Sequence, residues 1–133
     1  MRLFTVDDAN RTLPLVSRIV QDIVTQYARW QDRVREYEIL KITERVESPD
    51  PRAELLEREV HALATEIDRY IQELEELGVE FKGAELGLVD FPGMLAGRRV
   101  YLCWRLGEPS VQHWHEIDAG FAGRQPLTPQ MVG

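Results

Sequence analysis

The chain has 133 residues, the length of one domain, and its 44% hydrophobic and 29% charged composition is that of a globular protein and excludes whole-chain disorder. A formal net charge of −7 argues against a general binder of nucleic acid or anionic membrane, which would need a basic face to neutralise phosphates, and no Lys/Arg run is present. No window approaches the roughly 18 consecutive apolar residues of a membrane span. No apolar stretch of signal-peptide length follows Met1, and the lone Cys103 permits no internal disulfide, so a cytoplasmic protein is expected.

Thr5-Val6-Asp7-Asp8 reads as a helix start, with Thr5 placed to accept from the backbone N–H three residues on and acids at the positive end of the helix dipole. Phe4 precedes this cap as a hydrophobic staple. Pro14 lacks an N–H and disfavours helix at Leu13, which predicts a short first helix over 6–12 and a new or kinked one from 13–14. Apolar residues then fall at Leu13, Val16, Val20, Ile23, Tyr27, Trp30, Val34 and Tyr37, the alternating three- and four-residue steps of a heptad seam. Ile19, Val24 and Ile39 lie beside the stripe and require a further partner: the sheet, the first helix or another subunit.

Ser48-Pro49-Asp50-Pro51 interrupts the pattern, with Asp50 as N-cap and Pro51 at the first helical position. A second seam follows at Leu56, Val60, Leu63, Ile67, Tyr70, Leu74 and Leu77, and Gly78 ends it. Two helices of matched length, each roughly 40 Å at about 1.5 Å per residue, are expected to fold back as an antiparallel, coiled-coil-like hairpin. After Gly78 the helical spacing disappears. Strands are expected over Leu86–Phe91, closed by Pro92-Gly93, over Arg99–Arg105 and over Val111–Ile117, with Gly120–Pro126 as an irregular strap. The fold class is therefore α+β: one domain over 1–133, helical over 1–78, with a small antiparallel β-meander and strap over 79–133.

Phe4-Thr5 followed by Ala9-Asn10 and Leu13-Pro14, then Gly87-Leu88-Val89-Asp90-Phe91-Pro92, Tyr101-Leu102-Cys103-Trp104-Arg105-Leu106-Gly107-Glu108, Trp114-His115 and Gly120-Phe121-Ala122-Gly123-Arg124 resemble the prokaryotic family catalogued as domain of unknown function 2203. The likeness covers almost the whole chain. It implies a helical front and a motif-rich C-terminal third and brings no activity with it. His113 lies outside the family's pattern.

Strand alternation puts His113 and His115 on one face and Trp114 on the other; on the preceding strand Tyr101, Cys103 and Arg105 oppose Leu102 and Trp104. If odd positions pair with odd, both tryptophans turn toward the helices, while Cys103, His113 and His115 gather on the opposite face. Thiolate and imidazole are natural zinc ligands, and Asp90 or Glu108 can act as fourth ligand or orient the others. A second cluster, Trp104, Arg105, Trp114 and Arg124, has the residue types that stack on or clamp an anionic small ligand.

Three functions follow as expectations. The heptads point first to an interaction or scaffold protein that self-associates, as a dimer or with a protein partner, through the hairpin. The alternatives are a protein holding a divalent metal such as zinc, hydrolase-like if an enzyme at all, and a sensor of a small anionic ligand. No catalytic motif stands out, and neither nucleic acid nor membrane is expected as a partner.

Overall fold

The computed structural model of the chain describes residues 2–45 and 47–132. Helix α1 spans Val6–Thr43 and opens on the expected cap: Asp8 N–H donates to Thr5 Oγ1 at 3.0 Å and the Asp8 carboxylate accepts from Thr5 N–H at 3.3 Å. Phe4 goes further than a staple and is buried in the core, edge-on to Phe91 with ring centroids 5.2 Å apart. The expected break at Pro14 does not occur, and α1 is one helix of 38 residues. A proline inside a helix costs about 3 kcal/mol. The buried seam of Val6, Ala9, Leu13, Val16 and Val20 runs past Pro14 on both sides, and each large apolar side chain in it contributes roughly 1.5–3 kcal/mol on burial. Pro14 itself faces outward, so only the bond to the Asn10 carbonyl is forfeited.

Asp50 caps helix α2, Pro51–Glu76, by accepting from Arg52 N–H at 3.0 Å, and Pro51 occupies the first turn as expected. Gly78 takes φ +85° just beyond it, and Val79 N–H donates back to the Leu74 carbonyl at 3.0 Å. The helices pack on each other as a hairpin, but their lengths differ. At about 1.5 Å per residue α1 is roughly 57 Å long and α2 roughly 39 Å. The buried residues of α1 all lie in Val6–Ile23, where it backs the sheet. Ile19 is buried in that core and Val24 packs beside Gly87, so the sheet region covers these two flanking residues, whereas Ile39 stays exposed.

Among the described residues the sheet is an antiparallel meander of five strands in sequential order: β1 Glu80–Gly83, β2 Leu88–Leu95, β3 Arg98–Arg105, β4 His113–His115 and β5 Gln125–Pro126. A 3-10 turn, Phe121–Gly123, precedes β5, and a short helix α3, Pro129–Val132, follows it. Strand β2 runs through Pro92-Gly93 where a stop was expected. The Pro92 carbonyl accepts from Phe4 N–H at 2.7 Å, and a residue's N and C=O share one edge of a strand, so the missing donor faces the N-terminal segment and no bond to β3 is lost. Gly87, at φ +69°, lets the β1–β2 turn approach α1: a Cβ there would lie 2.7 Å from Leu106 Cβ and 3.0 Å from Val20 Cγ1.

Candidate functional site

The register pairs Tyr101 with His115 and Cys103 with His113, odd with odd. Asp90 pairs with Cys103, and Glu80 with Asp90. Leu102, Trp104 and Trp114 therefore turn together onto the helices as core, and Tyr101, Cys103, His113 and His115 share the other face, as the alternation predicted; β2 adds Val89 and Phe91 to the core and Asp90 to the outer face.

On that outer face three side chains converge. The ligand atoms of Asp90, Cys103 and His115 lie within 4.8 Å of one another, and the residues are only 5%, 1% and 2% exposed. His115 Nδ1 lies 2.7 Å from the Glu116 carbonyl, which can only accept, so Nδ1 carries a hydrogen. Nε2 then aims its remaining site at Asp90 Oδ1, 3.0 Å away, and one proton must lie between them because two lone pairs at that distance repel. Burial raises the Asp90 carboxyl above the usual carboxylate range, against the pull of the His115 hydrogen bond. Burial, helped by the negative charge of Asp90, pushes the Cys103 thiol up to about 12. The free thiol is thus protonated at neutral pH, which is the opposite of an activated nucleophile.

The three residues floor a cavity of about 230 Å³ whose walls are Leu88, Ile117 and Phe121, with Lys82 and Tyr101 at one side. The segment after β4 folds over the sheet face to form this cover. It is held at one end by the Arg98–Glu116 ion pair at 2.8 Å and at the other by Arg124.

His113 does not join the cluster, although it shares the face. Its Nδ1 accepts from the Arg124 guanidinium, which also donates to Glu108 Oε2, so His113 and Glu108 are spent on anchoring the tail. Glu108 Oε1 further accepts from Arg105 N–H at 2.7 Å, closing the β3–β4 turn. Of the expected candidates, Asp90, Cys103 and His115 converge, while His113 and Glu108 lie elsewhere. The Trp/Arg cluster is not assembled either. Trp104 and Trp114 are buried on the helical face, while Arg105, at an odd position, lies on the other side of the pleat, and Arg124, beyond the strands, is held by Glu108 and His113. Sequence reasoning missed Lys82. Recognising 80–83 as a strand would have placed Glu80 and Lys82, two apart, on the face that holds Asp90.

Fold and site together define an α+β protein in which a helical hairpin backs an antiparallel meander, with a buried Asp–Cys–His cluster on the meander's far face. The chain belongs to the family described as uncharacterized conserved protein (DUF2203), whose model matches residues 2–127, in agreement with the resemblance carried by the sequence motifs. No curated protein and no solved structure matches the chain. No helix among the described residues is long and apolar enough to cross a membrane.

Proposed function

We propose that the protein binds one divalent transition metal, zinc by ligand chemistry, through Asp90 Oδ, Cys103 Sγ and His115 Nε2. The observation that carries this reading is the convergence of three different donor types, each buried, on one point beneath a cavity. Thiolate with imidazole and carboxylate suits zinc, and three protein ligands leave the fourth tetrahedral position for water or a substrate atom. The Glu116 carbonyl on His115 Nδ1 fixes the tautomer and ring orientation that a ligating Nε2 needs. A carboxylate and a thiolate also balance the charge of a divalent ion, so the buried centre carries no net charge. Equilibration with zinc followed by desalting is expected to leave one ion per chain. Binding must displace the thiol proton and the proton shared by His115 and Asp90, so calorimetry in buffers of different ionisation enthalpy at neutral pH should read release of about two protons per metal and an affinity that rises with pH. Chains that retain no metal and gain no thermal stability on adding it would end the reading.

A second reading rests on the hairpin's distal half, which we propose as a self-association surface. A groove of about 590 Å³ lies there, lined by Ile39, Leu40, Leu55 and Leu56 and by the charged Arg33, Glu36, Arg52 and Glu59, and on α1 Ile39 and Ile42 are 56% and 83% exposed. Light scattering is expected to return the mass of two chains for the native protein and of one for Ile42→Glu combined with Ile39→Glu. A native mass of one chain at all concentrations would remove this reading.

A further inference from the structure

We propose that the cavity over the Asp90–Cys103–His115 centre receives a small carboxylic acid with a compact apolar body, of about the size of benzoate, its carboxylate taking the open coordination position beside Lys82. This rests on the metal reading and adds the ligand class to it.

The cavity is chemically divided. Its floor is the donor cluster; one side is Lys82 with Tyr101, and the remainder is Leu88, Ile117 and Phe121. Lys82 Nζ lies 3.0 Å from a Glu80 oxygen and 5.6 Å from the Tyr101 ring centroid, near enough to Asp90 to favour its ionised form. An ammonium has three donors, and Glu80 engages one, so a second acceptor at the cavity can be served. The metal's charge is matched by Asp90 and Cys103 and that of Lys82 by Glu80, so Lys82 meets a ligand through its free N–H donors, and a dianion would leave twice the uncompensated charge of a monoanion. A monoanion fits this balance and a phosphate does not.

The apolar wall is held in place. The Arg124 guanidinium sits 4.9 Å from the Phe121 ring centroid while donating to Glu108 and His113, which fixes the ring at the cavity mouth. Phe121 and Ile117 are nonetheless among the exposed large hydrophobic side chains of the protein, and a ligand's apolar body would cover both. A volume of about 230 Å³ lies below the roughly 300–1,000 Å³ of pockets for drug-sized ligands, which points to an acid of on the order of ten non-hydrogen atoms.

The test uses the full chain loaded with cobalt(II), whose ligand-field bands report the coordination sphere and whose thiolate charge-transfer band reports loading separately. Benzoate is expected to shift the ligand-field bands saturably and to bind about tenfold tighter than acetate, because only benzoate buries a ring against Phe121. Benzyl alcohol, with the ring but no charge, should leave the bands unmoved. Phe121→Ser should erase the preference for benzoate over acetate, and Lys82→Met should weaken both acids about fivefold. Bands that benzoate does not move, or an acetate affinity equal to that of benzoate, would overturn this ligand class while leaving the metal centre standing. Failure of the thiolate–cobalt band to form would overturn both readings at once.

Discussion

His115→Ala is expected to reduce zinc affinity by well over the roughly 100-fold that loss of a supporting partner alone can cost, and to destabilise the metal-free protein by about 3 kcal/mol. Both effects come from one ring. Nε2 is the nitrogen donor of the proposed centre, and in the metal-free protein it is also the hydrogen-bond partner of Asp90 at 3.0 Å. Without the ring, Asp90 keeps its place under the covering segment but loses that bond, and the void is lined by a polar atom that water reaches poorly. Urea denaturation reads the second effect as a lower midpoint with an unchanged slope. Zinc titration reads the first. His113→Ala is the informative control: it shares the strand face, yet its Nδ1 faces Arg124, so zinc stoichiometry should hold at one per chain. A His115→Ala protein that binds zinc as tightly as the native chain would dismiss the proposed ligand set. Equal zinc losses from the two histidine variants would show that the tail anchor, and not the ring at 115, controls the centre.

The other large effect is on the opposite face of the sheet, on the neighbouring strand β3. Trp104→Ala is expected to cost about 4 kcal/mol, the usual range for deleting a large aromatic side chain from a core. Trp104 is 2% exposed among the apolar side chains between sheet and helices, and its indole N–H donates to the Glu108 carbonyl at 2.9 Å. Trp104→Phe separates the two contributions. The ring volume is largely kept and the N–H is lost, leaving the carbonyl to solvent at the turn, so a loss of roughly 1–2 kcal/mol is expected. Because position 104 points away from Cys103 across the pleat, the Phe variant should still take up one zinc. A Trp104→Ala cost below about 1 kcal/mol in chemical denaturation would mean that the helix–sheet interface repacks around the void, contrary to a close-packed core.

The helical part was legible because its signals are short in range. A Thr and an Asp three residues apart make a capping box wherever a helix starts, Asp50-Pro51 starts another, and Gly78 ends it by adopting the φ that other residues avoid. The seam residues announce a helix face in the same way. Pro14 and Pro92 resisted the same treatment. Each carries a local penalty that is visible in one residue, but its size depends on which way the residue faces. Pro14 points outward from a seam buried on both sides of it, and Pro92 turns its missing donor toward Phe4.

The candidate site divides along the same line. Alternation alone placed Cys103 and His115 on one face and both tryptophans on the other, since a pleated strand has a period of two and a register needs only its parity. Alternation equally nominated His113, and it said nothing of Lys82. Sorting those residues takes the third dimension: Asp90 and His115 meet across 25 residues of chain, and Arg124 reaches back 16 residues to Glu108 and 11 to His113 as the tail folds over the sheet. Period and capping are properties of a few consecutive residues and survive in the one-dimensional string. Convergence of donors from separate strands is a property of how those strands are laid side by side and covered, and it becomes visible once the chain has closed on itself.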